Sequence, residues 1–312
     1  MSILVTGSIA IDHIMVFRDR FRNHILPDRI HTLNVSFHVP TLRKSFGGTG
    51  ANIAFALRQI GEDPLLLGAV GRDFDEYAAW LDRHGIRRDG IRVLDDAFTA
   101  QCFITTDLDD NQITAFHSGA MDRAHEARLD AVREPVEVAI VAPNGKRAMQ
   151  EYARELKRRG VPSVIDPGQG LPLFAREELV ELLEGAAVYV VNDYEWSLTL
   201  EKTGLDEEEV VKRVGALVVT LGEHGSRIRS GARGFEIPAV PARAVVDPTG
   251  CGDAYRAGLL HGLARGLSLE TCGRLGSLLG SLSVEREGTQ CLELAPGELG
   301  ERFQRAFGAP PR

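Results

Sequence analysis

Between residues 136 and 222 the chain runs through VEVAIVAP, VPSVIDPG, AAVYVVND and ALVVTLG, separated by AMQEYARELKRRG, REELVELLEG and DEEEVVKRVG. The first set are short, β-branched and continuously apolar, as strands buried on both faces must be. The second set place apolar residues at helical spacing. Parallel strands cannot be joined by a hairpin and need a crossover, usually a helix. This alternation therefore predicts an α/β fold: a doubly wound, mostly parallel sheet with helices on both faces. LLLGAVG followed by DEYAAWLDRHG extends the pattern toward the N-terminus, and ILVTGSIAIDHIMVF reads as an opening buried strand that leads into a loop. AYRAGLLHGLARG and ETCGRLGSLLGSLSVERE read as two closing helices.

Two stretches break the alternation. LNVSFHVP within 18–46, and IRVLDD, FTAQCFITTD and NQITAFHSG within 91–117, read as half-buried strands with no helix between them. The acidic DLDDN marks a hairpin turn. We expect one domain over 1–312 with a small projecting sheet, formed by about 13–46 and 91–117, lying as a lid over the C-terminal ends of the parallel strands. Leu33, Val35 and Phe37 alternate along the expected lid edge, and exposed edges are commonly paired or covered. This points to a homodimer through the lid, the alternative being a monomer with a short charged edge.

At 312 residues the net charge of −8 argues against a nucleic-acid-coating surface, which would need a basic face. A local anion site is compatible with that charge. The four cysteines form no C-x-x-C pair, the histidines show no H-x-x-x-H spacing, and no apolar run is long enough for a bilayer. With no signal peptide legible after Met1, free thiols and a cytoplasmic location are expected.

Chemistry concentrates at Asp247-Pro248-Thr249-Gly250-Cys251-Gly252-Asp253, which opens an apolar helix. Glycines let backbone amides converge, and a helix start adds unpaired donors and partial positive charge. That is an anion site. A carboxylate beside it has an obvious task, removing a proton from a hydroxyl that attacks a phosphoryl group. The plainer reading is a capped helix with Asp253 at the surface. Ser45-Phe46-Gly47-Gly48-Thr49-Gly50-Ala51-Asn52 is a second glycine-rich helix entry, where Gly48 permits close approach to backbone and Asn52 offers an amide. Asp12, taken as the end of the first strand, sits where open α/β sheets bind ligands and can accept hydrogen bonds from two sugar hydroxyls; a loop cap is the even alternative. In Asn192-Asp193-Tyr194-Glu195, Glu195 could orient magnesium-bound water, against an acidic helix start. Thr220, Gly222 and Gly225 either wrap a nucleotide or make a hairpin turn. Cys251 has no adjacent histidine and reads as a packing residue. Neither G-x-x-x-x-G-K-[ST] nor a G-x-G-x-x-G after the first strand occurs.

FGGTGANIAFALRQIG and DPTGCGDAYRAGLL, in this order and separation, resemble the two signatures of the ribokinase (PfkB) family of small-molecule kinases across essentially the whole chain. VTGSIAIDHIM, NDYEWSLTLEKTG and DPTGCGDAYRAG are most similar to its bacterial adenosine and nucleoside kinase branch. The resemblance implies ATP and Mg²⁺ as co-substrate and cofactor, with a purine ribonucleoside phosphorylated at its 5′-hydroxyl. It implies Asp253 as general base, with Gly250, Cys251 and Gly252 as the anion hole. Asp12, Gly48 and Asn52 would hold the sugar, while Ser8, Ser36, Phe116 and Gln169 would surround the base. Cys102 stands where the branch has an aromatic. Asn192 and Glu195 would place magnesium and phosphate, and Thr220, Gly222 and Gly225 would line the ATP side. Asp247, Thr249 and the loop with Gly288 would hold a monovalent cation such as K⁺. Two alternatives stay open: a free-sugar kinase, and a nucleoside-binding protein without catalysis.

Overall fold

A computed structural model of the protein describes residues 2–311. Its strands are β1 (Ser2–Thr6), β2 (Ala10–Val16), β3 (Thr41–Gly47), β4 (Leu65–Gly71), β5 (Ile91–Leu94), β6 (Ala100–Thr106), β7 (Gln112–His117), β8 (Val136–Val141), β9 (Ser163–Ile165), β10 (Val188–Asn192), β11 (Ala216–Thr220), β12 (Ser226–Ser230) and β13 (Arg233–Ile237). Its α-helices are α1 (Thr49–Gln59), α2 (Asp75–Arg83), α3 (Lys146–Arg159), α4 (Arg176–Leu183), α5 (Asp193–Thr203), α6 (Glu207–Val211), α7 (Cys251–Ala264), α8 (Leu269–Val284) and α9 (Glu298–Phe307).

A nine-stranded sheet runs β13-β12-β11-β10-β9-β8-β1-β4-β5, parallel from β11 to β5 and closed at one edge by the antiparallel β12–β13 hairpin. Alternate residues of each strand point to opposite faces, so one sheet feeds two cores. Ile3, Val5 and Leu66 pack with α1, α2, α7, α8 and α9. Leu4, Leu65 and Leu67 pack on the other side with α3, α4, α5 and α6. The strand–helix alternation thus has the expected outcome. The β12–β13 hairpin and the terminal helix α9 were not legible in the sequence. RIRS and RGFE are too polar to signal buried strands, because this edge of the sheet is half-exposed.

The small sheet is four-stranded, in order β3-β2-β6-β7, with β2 and β6 parallel and the outer pairs antiparallel. Three expectations need correction. The opening run is two strands rather than one. It breaks at Gly7-Ser8-Ile9, where the Ser8 carbonyl accepts from the Gly50 amide at 3.0 Å and the Ser8 hydroxyl accepts from the Thr49 amide at 3.0 Å. Asp12 consequently lies in the lid, on β2, and not at the end of a main-sheet strand. The stretch 91–117 is divided: β5 pairs parallel with β4 at the edge of the main sheet, and only β6 and β7 enter the lid. Finally, 33–39 forms no ladder. Pro27 opens a 3-10 helix over Pro27–Thr32 and Pro40 offers no amide; Phe37 packs instead on Phe17 and Phe21, with ring centroids 4.9 and 5.0 Å apart. The DLDDN hairpin forms as expected, with the Asp107 carboxylate accepting from the amides of Asp109 and Asn111.

Candidate active site

Two helix starts meet at the centre of the molecule. Gly250 precedes α7 with φ at 78°, a left-handed conformation that glycine adopts without steric cost. The Cys251 amide turns back to the Pro248 carbonyl at 3.2 Å, so it is engaged within the turn. Among the described residues, the amides of Gly250, Gly252 and Asp253 have no backbone acceptor and remain for an anion. Gly48 precedes α1 with φ at 92°, and a Cβ there would stand 2.5 Å from the Ser8 carbonyl and 2.6 Å from the Ala10 amide. Its glycine is required by protein backbone on both sides, a reason independent of any ligand.

Asn52, one turn into α1, donates from Nδ2 to an Asp253 carboxylate oxygen at 2.8 Å. Burial pushes the Asp253 carboxyl up to about 7; the Asn52 hydrogen bond and the Arg256 charge oppose the shift, and Asp166 adds to it. A carboxyl poised near neutrality is suited to general-base work. Arg256 donates from Nε to Asp166 at 2.6 Å and from Nη1 to the Gly252 carbonyl at 3.2 Å. Asp166 follows β9 directly, at the C-terminal edge of the parallel sheet where the fold places ligands. Asp166, Arg256, Gln290, Tyr77 and Trp80 were not singled out in the sequence. Asp166 was visible as an acid closing the run VPSVID, and Arg256 as the one charge in the helix AYRAGLL. Gln290, Tyr77 and Trp80 carry no sequence signal.

Asp12 pairs across the lid with Ser45 on β3 and Cys102 on β6, and Cys102 pairs with Phe116 on β7. Residues paired in this way share a face, so Asp12, Cys102 and the half-exposed Phe116 form one row. Burial pushes Asp12 up, offset by His13. The Asp12 carboxylate lies against Gly47, where a Cβ would meet Oδ2 at 2.5 Å. The Gly47 carbonyl accepts from the buried Tyr77 hydroxyl at 2.7 Å. Ser8 is committed to the α1 start, so its hydroxyl is a structural cap as well as a candidate base contact. Ser36 is exposed in the unpaired 33–39 stretch, and Gln169 is exposed in the 3-10 turn Gly168–Leu173. Among the described residues, no hydrogen bond joins Ser36, Phe116 or Gln169 to the Asp253 cluster.

Asn192 and Thr220 are register partners at the ends of β10 and β11. Asn192 caps α5 by accepting from the Glu195 amide at 2.7 Å, while Glu195 Oε2 accepts from the Asn192 amide at 2.9 Å. Glu195 is therefore half of a capping box. Burial nevertheless raises its pKa, with Asp166 adding to the shift and Arg256 opposing it, which places it electrostatically in the Asp253 cluster. Gly222 and Gly225 flank a 3-10 turn that reverses the chain from β11 into β12. Asp247 accepts from the Thr249 amide at 2.9 Å and the Gly288 amide at 3.0 Å, gathering the three expected cation residues. Partial burial works against its charge, but these hydrogen bonds and Arg43 hold it below the ordinary carboxylate range. Cys251 is pushed up by burial and by Asp253, so it remains a thiol.

Residues 3–295 match the sequence profile of the pfkB family carbohydrate kinases. Nucleoside kinase of Methanothermobacter thermautotrophicus is 33% identical over 316 residues, covering 99% of this chain and 97% of its own. A structure of Burkholderia thailandensis nucleoside kinase in complex with inosine is 45% identical, covers 100% of both chains and superposes with a TM-score of 0.89. A second structure of that protein, in complex with ADP-inosine, is 47% identical, covers 100% of this chain and 98% of the other, with a TM-score of 0.86. A match across nearly the whole length, together with the paired helix starts and the lid, establishes that this chain belongs to the pfkB family of carbohydrate kinases.

Proposed function

We propose that this protein is an ATP-dependent nucleoside kinase that transfers the γ-phosphoryl group to the 5′-hydroxyl of a purine ribonucleoside. The observation that carries the reading is the 2.8 Å hydrogen bond from Asn52 to Asp253 at the mouth of α7. It joins the sugar-side amide to the candidate base, which stands beside the unpaired amides of Gly250, Gly252 and Asp253. The inosine bound by the 45% identical Burkholderia protein supports the substrate class.

Phosphoryl transfer asks the protein for alignment and charge stabilisation more than for covalent chemistry. Asp12 and Asn52 hold the ribose hydroxyls from the lid and from α1. Asp253, ionised, takes the 5′-hydroxyl proton. The Gly250, Gly252 and Asp253 amides stabilise charge on the transferring group, at roughly 3–4 kcal/mol per well-placed donor. Phe116, on the same lid face as Asp12, presents a ring to the base. Cys102 stands between them as a small thiol, so the wall beside the sugar is lower than an aromatic would make it.

Mg²⁺, when bound with ATP, would neutralise the phosphates; Glu195 and the buried Asp166, whose Oδ1 has no hydrogen-bond partner among the described residues, would offer hard oxygens that suit a largely water-clad ion. Among the described residues, no group of three acidic, histidine or cysteine side chains gathers as a metal site. Asp247, ionised and bonded to both segments, suits K⁺ between 247–249 and the Gly288 loop. Leu42, Phe103 and Ile113 share the lid face opposite Asp12 and are 64%, 39% and 43% exposed. They favour a second copy of the chain docking there, and light scattering at micromolar concentration reads this as dimer mass.

The test is a panel of inosine, adenosine, guanosine, cytidine, ribose and fructose with ATP and Mg²⁺, read by chromatography of the products. Nucleoside 5′-monophosphate formation is expected. Sugar phosphates alone, or tight nucleoside binding without ATP consumption, would overturn the reading.

A further inference from the structure

Asn52 faces Asp253 with an amide, and an amide has two chemically different ends. Offered as N–H it stabilises a carboxylate; offered as C=O it stabilises a protonated acid. Something must decide between them, and the surroundings of Asn52 contain that device. Its Oδ1 accepts from Gln290 Nε2 at 3.2 Å. The same Nε2 donates to the Tyr77 hydroxyl at 2.5 Å, and the Tyr77 hydroxyl in turn donates to the Gly47 carbonyl at 2.7 Å. Gln290 Oε1 accepts from Trp80 Nε1 at 2.7 Å.

The direction of this chain follows from Trp80. An indole has one polar function, and it only donates. Gln290 must therefore turn its oxygen to Trp80, which leaves its amino group for Asn52. Asn52 must then turn its oxygen to Gln290, which leaves its amino group for Asp253. At the branch, Gly47 offers only a carbonyl, so Tyr77 must donate there and accept from Gln290. Each of these contacts pairs a donor with an acceptor in one arrangement; flipping Asn52 breaks two bonds at once, and flipping Gln290 disrupts three. Gln290, Tyr77 and Asn52 are buried, so water offers no easy substitute.

The geometry points to Gln290 and Trp80 as positioning residues that set the amide orientation of Asn52 and so present an N–H to the Asp253 carboxylate. Neither touches substrate. Their work is to keep Asp253 able to act as a base at neutral pH, and through Tyr77 to tie that state to Gly47, where the lid strand β3 meets the start of α1. The other charged or titratable groups acting on Asp253 are Arg256, Asp166 and Cys251, with Glu195 acting on Arg256; none belongs to the chain of amides. The inference rests on the kinase reading only for its consequence in catalysis.

The experiment uses the full-length protein, with Asp253 identified by difference against Asp253→Asn. The Asp253 carboxyl carbon is followed by ¹³C NMR from pH 5 to 9 in wild type, Gln290→Leu and Trp80→Phe, without ligands. In parallel, the kcat and KM of nucleoside phosphorylation are measured over the same range. Trp80→Phe keeps a ring among Phe46, Phe55 and His84 while removing the donor, so it decides the matter if Gln290→Leu does not fold. The expected result is an upward movement of the Asp253 midpoint by about one pH unit in either folded variant, with the acid limb of kcat moving by the same amount. An unmoved midpoint in a folded variant, whatever happens to the rate, overturns the inference. A moved midpoint in a protein that phosphorylates no nucleoside leaves the positioning role standing and removes the kinase reading.

Discussion

Arg256 and Asp166 form a buried ion pair, Nε to Oδ2 at 2.6 Å, with side chains only 8% and 3% exposed. The pair joins α7, three residues beyond Asp253, to the end of β9. Its positive member is the compensating charge for Asp166, Asp253 and Glu195. Replacing Arg256 by Met leaves those carboxyls facing one another in a dry site. The expected loss is about 3–5 kcal/mol in urea unfolding, because an unpaired buried charge remains. A loss below about 1 kcal/mol would mean that the pair contributes nothing once water relaxes around Asp166.

Asp253→Asn is expected to separate activity from stability. Turnover should fall at least about 10²-fold with loss of the base. The native carboxyl titrates near 7 against an ordinary 3.8, so the folded state holds a proton that the unfolded chain has released. The penalty is therefore absent below about pH 4, grows as pH rises through this window and is complete above pH 7, at up to about 4 kcal/mol. The difference in melting temperature between variant and wild type should be near zero at pH 4 and favour Asp253→Asn at pH 8. A flat difference across that range would place Asp253 in water.

Gly48→Ala tests the junction between the lid strand β3 and the core helix α1. Its φ of 92° and a Cβ 2.5 Å from the Ser8 carbonyl leave no room without moving backbone. A destabilisation of about 1–3 kcal/mol and a raised KM for the nucleoside are expected, since β3 and α1 must both shift. Unchanged KM and melting temperature would show that this junction is compliant.

Asp247→Ala removes the tie between the Thr249 and Gly288 amides. Wild-type turnover should be higher in KCl than in choline chloride at equal ionic strength, and the variant should lose that difference. Asp247 is held below the ordinary carboxylate range, so the KCl effect in wild type should persist undiminished down to about pH 5. Equal wild-type rates in both salts would remove the cation from the proposal.

The apolar runs Leu65–Gly71 and Val188–Asn192 were legible as strands because a strand buried on both faces has few polar residues to disguise it. Gly48 and Gly250 were legible as helix entries because few residues other than glycine take positive φ there. Asp12 reads as the end of the first strand because ILVTGSIAIDHIMVF carries β-branched and apolar residues on both sides of Gly7-Ser8. Nothing local says that Ser8 will leave the ladder to cap a helix forty residues away.

Local sequence determined the elements and the chemical types at the site: period, turn chemistry and a carboxylate at a helix start act within a few residues of chain. Only the tertiary structure decided that Asn52 would meet Asp253 across 201 positions, and that Gln290, 238 positions from Asn52, would orient it. Such contacts arise when segments distant along the chain, here α1, α7 and the stretch with Gln290, pack together on one face of the sheet. Which buried donor then finds which acceptor depends on packing geometry, and no stretch of chain contains it alone.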